Sequence, residues 1–580
     1  MSSVSTRIIP ASTWTICGVE LILVVVGAIV VTAIAQRRGL EPALIIVVVG
    51  IAVSFVPGFE APELDSHILL SVVLPPLLYS AALGFSFPAF LRNIKPILGL
   101  GLGLVVVTAF TVAAVSSLLV VVPLTFAAAL VLGAIVAPPD AVTAVAVGRK
   151  LGLPKRVMSI LTGESLINDA AALTLFTVAV AHVAGQHTFI ENPFLLFAYS
   201  AVLGPLVGAA LGYLTLWIRR HLENPALETV QGLMVPFGAF ILAQELHASG
   251  VLAVVAAGFV VGSGTVDAGY QTRLQERYVW SSVDVLLEAF VFAYIGLNLR
   301  FVLEDLKDAH GSLTQVAVSS ALVLLIVLVI RPLSVFVMFG GGSLSRQVEK
   351  WLRVPTPQVG VPGASGSGEQ PRAPGKRRPR IDGRALSWQE NVIVSWTGMR
   401  GVVTLAAAAA IPVTTVAGEP FPERATIQAI AFVVSVGTLL LQGATLPLLI
   451  RRLDLSSDRD RALVYADTLA ARRVAHDAAD KVLAEFGAQP PAGVDLKVLA
   501  EIRNTIARQS QDADEMPDRA AHTLRAETFT RLYRDVLSAQ RAALVEERDA
   551  GRVDDDAVRR VLERLDLQEA GVSARLESRL

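Results

Sequence analysis

Charged residues are scarce in this sequence, and they are unevenly placed. They make up 17% of the 580 residues, whereas hydrophobic residues make up 53%, and the mean hydropathy is +0.59. A soluble protein carries roughly a quarter charged residues, so the composition indicates that lipid is the main solvent. Residues 454–580 hold 25 acidic and 20 basic residues, which leaves the first 453 positions poorer still in charge.

Other absences exclude several classes of function. The single cysteine, Cys17, can form no internal disulfide. The formal net charge of −1 gives no reason to expect nucleic-acid binding. The eight histidines form no metal-ligand pattern, and the sequence has neither a phosphate-binding glycine-rich loop nor a nucleophile elbow. We therefore expect a protein that is not an enzyme and that uses no cofactor and no ATP.

Long apolar runs dominate the first 450 residues. A helix needs about 20 apolar residues to cross a bilayer core of roughly 30 Å. Thirteen such runs are bounded by polar or helix-breaking residues, at approximately 16–35, 40–56, 67–87, 97–121, 124–147, 157–184, 193–218, 228–246, 248–264, 279–298, 313–339, 388–411 and 425–450. We predict an all-α polytopic membrane protein whose transmembrane domain, residues 1–453, contains about 13 helices.

The basic residues of the predicted loops indicate the orientation. Loops on one side hold 21 Lys and Arg residues, and those on the other side hold four. Because such residues favour the cytoplasmic side, we expect a cell-membrane protein with its N-terminus outside and its tail in the cytoplasm. A flexible cytoplasmic loop is predicted at 343–386 from its Pro, Gly, Ser and basic residues. A soluble helical tail is predicted at 454–580, either regulatory, dimer-supporting or a simple appendage.

Two prolines interrupt the fifth apolar run beside an acidic residue. In Ala137-Pro138-Pro139-Asp140 the prolines remove two backbone donors and prevent a regular helix, which leaves carbonyl groups free next to a carboxylate. Broken helices at membrane depth are where many transporters bind ions. The stretch therefore predicts a cation site at Asp140, and the alternative is a simple structural kink.

The sixth run carries an acidic residue far from either end. Asp169 follows Asn168, and Ser165 lies four residues earlier on the same helix face as Asp169. A carboxyl group at that depth is stable either protonated or ionised with a cation beside it. Such a site would exchange protons for cations by competition, and the alternative is a polar cluster that only packs helices. Glu288, in the tenth run, is expected to be a satisfied packing residue.

Two arginines also fall within apolar sequence. Arg331 lies in the eleventh run, and Arg400 lies in the twelfth between Gly398 and Gly401. An unpaired charge at that depth costs on the order of several kcal/mol, so each arginine needs a partner, and Glu164 is the obvious one. The glycines around Arg400 predict a second broken helix. Two broken segments that cross in opposite senses are typical of inverted repeats.

Four stretches together resemble one protein family. They are Leu74-Pro-Pro-Leu-Leu, Ala137-Pro-Pro-Asp-Ala-Val-Thr-Ala-Val-Ala, Gly163-Glu-Ser-Leu-Ile-Asn-Asp-Ala and Gly398-Met-Arg-Gly-Val-Val. In consistent order over residues 15–450, they are similar to motifs of the bacterial sodium/proton exchangers of the monovalent cation:proton antiporter superfamily.

The resemblance implies a function and a site. It implies a homodimer in which a mobile six-helix core moves the ion past a fixed dimerisation domain. Asp169 would be the exchanging carboxylate, and Na⁺ (or K⁺) would be held at Asp169 and Asp140 with Asn168 and Ser165 beside them. An Asn at 168, where a second acid could stand, resembles the electroneutral branch, in which one cation is exchanged for one proton.

The resemblance also implies that Glu164 forms a structural ion pair with Arg331, or failing that with Arg400. Two positions depart from the familiar pattern, because Pro139 stands where many relatives have Thr and Ser80 where many have Glu. These departures leave the ion preference open, so K⁺/H⁺ exchange is an alternative to Na⁺/H⁺ exchange. An alternative of a different class is a membrane receptor or scaffold that signals through its tail.

Overall fold

The computed structural model describes residues 11–453, apart from 58–68, 86, 119–123, 141, 186–189, 191, 223, 266–267, 309–312 and 353–385, and also the single residues 484 and 567. The chain divides into two units, Met1–Ser457 and Asp458–Leu580. The predicted tail 454–580, apart from those two single residues, and residues 353–385 of the predicted loop lie outside the described residues.

The described part of the chain folds into helices. In chain order they are α1 (Ala11–Arg37), α2 (Pro42–Ser54), α3 (Leu74–Leu83), α4 (Phe87–Arg92), α5 (Ile94–Leu98), α6 (Val105–Leu118), α7 (Phe126–Val136), α8 (Val142–Leu151), α9 (Lys155–Ala184), α10 (Pro193–Arg219), α11 (Pro225–Glu245), α12 (Gly250–Gly264), α13 (Tyr270–Leu297), α14 (Leu299–Asp308), α15 (Leu313–Leu352), α16 (Trp388–Trp396), α17 (Val402–Ala409) and α18 (Arg424–Leu453). A π-helical turn precedes α3, and another joins α5 to α6.

Helix length and composition confirm an all-α polytopic membrane protein. Within the described residues, eight segments are long and apolar enough to cross a membrane: Glu20–Arg37, Ile94–Leu118, Lys155–Ala184, Leu195–Arg219, Pro225–Glu245, Gln271–Glu304, Leu313–Phe339 and Arg424–Leu453. The other five of the thirteen predicted spans coincide with shorter or broken helices. Hydropathy alone does not register where a helix stops inside an apolar run, so the count of thirteen remains a prediction.

Two broken helices are confirmed. The helix α7 ends at Val136 and α8 begins at Val142, because the two prolines between them cannot continue the ladder of backbone hydrogen bonds. The helix α16 ends at Trp396 and α17 begins at Val402, and the segment between them contains two glycines. Each broken span therefore consists of two short helices joined by an irregular segment.

The helix α15 is longer than the sequence suggests. The predicted loop begins at residue 343, yet α15 continues to Leu352. The three glycines at 340–342 do not end the helix, because Leu344, Val348 and Trp351 follow them at helical spacing. The helix therefore overlaps the first ten positions of the predicted loop, and the loop itself remains a prediction.

Close backbone contact joins α2 to α13. A Cβ atom built on Gly50 would lie 3.0 Å from the carbonyl oxygen of Ala293, and one built on Gly296 would lie 2.8 Å from the Cα of Gly50. No larger residue fits at either position without moving a backbone. The two helices are therefore held at the shortest separation that packing allows.

Candidate functional site

Asp169 lies in the middle of α9, a continuous helix of 30 residues. The helix spans Lys155–Ala184, so Asp169 lies 14 positions from its first residue and 15 from its last. Only 6% of Asp169 is exposed. Among the described residues the buried ion pairs are Arg331–Glu164 and Arg219–Glu276, and Asp169 takes part in neither.

Asn168 connects α9 to the first broken helix. Its Nδ2 donates a hydrogen bond of 2.7 Å to the carbonyl oxygen of Pro139, which is one of the groups that the break leaves free. Its Oδ1 is buried without a hydrogen-bond partner. An unsatisfied buried acceptor is costly, so this oxygen, on the residue next to Asp169, is available to a cation or a water molecule.

The two broken helices meet at their breaks. The backbone N–H of Asp140 donates a hydrogen bond of 2.5 Å to the carbonyl oxygen of Met399. The carboxylate of Asp140 lies against Gly401, where an added Cβ would overlap Oδ2. Asp140 is also within electrostatic range of Asp169. The breaks therefore bring the Asp140 carboxylate near enough to Asp169 for the two charges to interact.

Glu164 and Arg331 form a buried ion pair between α9 and α15. Both oxygens of Glu164 accept hydrogen bonds from the guanidinium, at 2.5 and 2.9 Å, and the side chains are 1% and 2% exposed. Arg331 Nε donates a third bond of 3.0 Å to the carbonyl oxygen of Val394, at the end of α16. This pair ties α9 and α15 to the second broken helix.

Arg400 has a different set of partners. Its Nε donates a hydrogen bond of 2.9 Å to the carbonyl oxygen of Val136 at the end of α7, and Nη1 donates to the carbonyl oxygen of Gly398. Its backbone N–H donates to Thr438 Oγ1 at 3.0 Å. The arginine therefore donates hydrogen bonds to carbonyl groups at the two breaks. Glu164 remains the partner of Arg331.

The site contains residues that sequence reasoning did not single out. On α18, Thr438 Oγ1 accepts a hydrogen bond from the backbone N–H of Arg400, and the Ser435 hydroxyl donates a hydrogen bond of 3.5 Å to the carbonyl oxygen of Gly401. Both are ordinary polar residues in an apolar helix, so no local pattern marks them. Ser165, which the sequence predicts beside the cation, lies one helical turn before Asp169 on α9 and is half-buried.

Two broken helices that meet beside a buried carboxylate are the arrangement found in secondary transporters. The chain belongs to the sodium/hydrogen exchanger family, because residues 21–452 match the family model described as "Sodium/hydrogen exchanger, transmembrane". It is thus a multi-pass membrane protein of a transporter family, and the resemblance seen in the sequence motifs is confirmed.

Individual relatives agree with this assignment. The chain is 30% identical to an uncharacterized Na⁺/H⁺ exchanger of Mycobacterium tuberculosis over 561 residues, which cover 95% of this chain and 96% of that protein. It is 27% identical to the Na⁺/H⁺ antiporter ApNhaP of Aphanothece halophytica, over 78% of this chain and 77% of that one. The sodium proton antiporter MjNhaP1 of Methanocaldococcus jannaschii shares the fold, with a TM-score of 0.55 at 18% identity over 77% of this chain and 100% of that one.

Proposed function

We propose that the protein is a secondary antiporter that exchanges Na⁺ for H⁺ across the cell membrane by competition at Asp169. The observation that carries the proposal is a buried carboxyl group in mid-helix that forms no ion pair with any arginine in the described part of the chain. Such a group is stable when it holds a proton or a cation, and it cannot hold both at once. The family and the activities named for the relatives support Na⁺ as the cation.

The partners of the two buried arginines support this role for Asp169. Arg331 is bound to Glu164, and Arg400 is bound to backbone carbonyl groups. Breaking either set would leave a charge buried without a partner, at a cost of about 3–5 kcal/mol for an ion pair. The arginines therefore maintain the fold around the breaks and leave Asp169 to the transported ions.

Oxygen ligands for the cation would come from both α9 and the first break. Asp169 and Asp140 supply carboxylates, and the unpartnered Oδ1 of Asn168 and the hydroxyl of Ser165 supply neutral oxygens. Alkali cations bind such hard oxygen donors. Because Asn168 carries no charge, the two loaded states differ by one cation against one proton, so the exchange is electroneutral.

Orientation and assembly complete the proposal. The excess of Lys and Arg in alternate loops supports an external N-terminus and a cytoplasmic tail. The family resemblance supports a homodimer embedded in membrane lipid, in which residues 454–580 form a separate cytoplasmic domain. Blue-native electrophoresis and protease protection in oriented vesicles test the two parts separately.

The direct test is Asp169→Asn, which is nearly isosteric and cannot release a proton. In inverted vesicles, adding Na⁺ should reverse the quenching of a pH-sensitive dye with the unchanged protein and have no effect with the variant, at equal amounts of inserted protein. Exchange by Asp169→Asn would overturn the proposal, and it is also the outcome that a receptor or scaffold predicts. The same assay with K⁺ and Li⁺ identifies the preferred cation.

A further inference from the structure

Two buried hydroxyl groups on α18 face the second broken helix. Ser435 and Thr438 lie about one helical turn apart, and they are 1% and 0% exposed. The Thr438 hydroxyl accepts a hydrogen bond of 3.0 Å from the backbone N–H of Arg400, and the Ser435 hydroxyl donates one of 3.5 Å to Gly401. The two hydroxyl groups therefore bind consecutive residues of the break.

These hydrogen bonds replace partners that a continuous helix would supply. Residues 397–401 are not helical, and Gly401, the N-cap of α17, has no side chain that could accept a hydrogen bond from that helix. A buried backbone group without a partner is costly, so it must find one on a neighbouring element. For the N–H group of Arg400, that partner is Thr438 on α18.

The direction of the Thr438 hydroxyl is fixed by its own helix. The hydroxyl donates a hydrogen bond of 3.1 Å to the carbonyl oxygen of Ser435, so it can only accept from the neighbouring segment. Arg400 uses that acceptor. A serine at position 438 could form both hydrogen bonds, whereas a valine has nearly the same shape as threonine and could form neither.

The residues on either side of Arg400 contact Asp140. The carbonyl oxygen of Met399 accepts the hydrogen bond of 2.5 Å from the backbone N–H of Asp140. Gly401 lies against the carboxylate of the same residue. A movement of the Arg400 backbone would therefore displace both contacts of Asp140 with the second break.

We propose that Thr438 is a positioning residue for the cation site: its hydroxyl holds the backbone of Arg400 so that the second break keeps the Asp140 carboxylate where the cation binds. Ser435 assists through its longer hydrogen bond. The inference rests on the proposed Na⁺/H⁺ exchange. It gives α18 a part in the affinity for Na⁺ without contact between α18 and the ion.

Thr445 on the same helix provides a matched control. It lies about two helical turns after Thr438 and forms a similar pair of hydrogen bonds. Its hydroxyl donates one of 2.6 Å to the carbonyl oxygen of Leu441 and accepts one of 2.8 Å from Nε1 of Trp396. The partner here is a side chain at the end of α16, and the backbone of the break is not involved. Loss of the Thr445 hydroxyl should therefore leave Asp140 in place.

Transport kinetics in proteoliposomes of the full-length protein test the inference. Thr438→Val should raise the KM for Na⁺ about tenfold, as expected for the loss of one buried hydrogen bond, with kcat kept within about twofold. Thr438→Ser keeps the hydroxyl and should return the KM to within about twofold of the unchanged protein. Ser435→Ala should raise the KM only about twofold, because the hydrogen bond that it removes is long. Thr445→Val should leave the KM unchanged, even where it lowers the thermal unfolding midpoint.

The comparison between the two threonines decides the inference. It is overturned if Thr438→Val leaves the KM unchanged, if Thr445→Val raises the KM equally, or if Thr438→Ser fails to restore it. Should Thr438→Val not insert, Thr438→Cys takes its place, because a thiol is only a weak acceptor. An unchanged KM for Thr438→Cys then overturns the inference, and a raised KM supports it. Exchange that survives Asp169→Asn overturns the proposed function instead.

Discussion

The carboxylate of Asp140 lies directly against Gly401, so the two broken helices contact each other through one acidic side chain and one residue without a side chain. An added Cβ at Gly401 would overlap Asp140 Oδ2. The hydrogen bond from the backbone of Asp140 to Met399 fixes the same approach. The position of the second carboxylate therefore depends on a glycine in the other broken helix.

Gly401→Ala tests this contact. The methyl group should push the Asp140 carboxylate away from its position, and we expect Na⁺/H⁺ exchange to fall at least about tenfold while the protein still inserts. Gly27→Ala is the control, because an added Cβ there meets nothing within 4 Å. Equal exchange rates for the two variants would contradict a role for the Asp140 position. The measurement is dye dequenching in inverted vesicles, normalised to the amount of inserted protein.

Glu164→Gln should reduce stability more than it alters ion preference. The substitution leaves Arg331 buried with only a neutral partner, and removing one member of a buried ion pair costs about 3–5 kcal/mol. We expect a large fall in the thermal unfolding midpoint in detergent and poor expression. The exposed pair Arg300–Glu304 is the control, since Glu304→Gln should change the free energy of unfolding by less than about 1 kcal/mol. Normal stability together with an altered KM for Na⁺ would argue against the structural role.

Asn168→Ala should weaken the first break and the cation site together. It removes the donor to Pro139 and the free Oδ1 acceptor. Loss of a buried hydrogen bond that leaves a carbonyl unpaired costs about 1–3 kcal/mol, so we expect a lower unfolding midpoint and a KM for Na⁺ raised about tenfold. Thr177→Ala on the same helix serves for comparison, because the exposed Thr177 hydroxyl donates a hydrogen bond to the carbonyl oxygen of Leu173 one turn earlier. A change in the midpoint with an unchanged KM would show that Asn168 only packs the break.

Electroneutral exchange predicts a rate that does not depend on membrane potential. One cation for one proton moves no net charge, so a potential imposed with valinomycin and a K⁺ gradient should leave the initial rate of Na⁺-driven proton movement unchanged. Proteoliposomes with a pH dye inside allow this comparison. A rate that rises several-fold with potential of one sign would require a second proton, and Asp140 would then be its expected carrier.

Much of the membrane fold could be predicted from apolar runs and helix breakers. Pro138 and Pro139 predict the first break, and the glycines at 398 and 401 predict the second, because these residues act locally on the backbone. The extension of α15 to Leu352 was missed because the glycines at 340–342 outweighed the apolar spacing after them. Where the sequence shows no packing partner, the predicted end of a helix depends on local composition alone.

The site was less predictable than the fold because its contacts are long-range. Motifs marked Asp169, Asn168 and Asp140, yet nothing in the sequence indicates that Arg400 binds the carbonyl of Val136, 264 positions away. A single sequence does not show which surfaces meet.

The contact between Gly50 and Gly296 has a consequence for the direction of motion. It joins α2 to α13, so these two helices form one rigid frame, whereas α8 is one half of a broken helix and packs against α9 and α18. We therefore expect movement at the first break to displace α8 against that frame. A covalent cross-link between α2 and α13 should leave turnover intact, and one between α2 and α8 should arrest it.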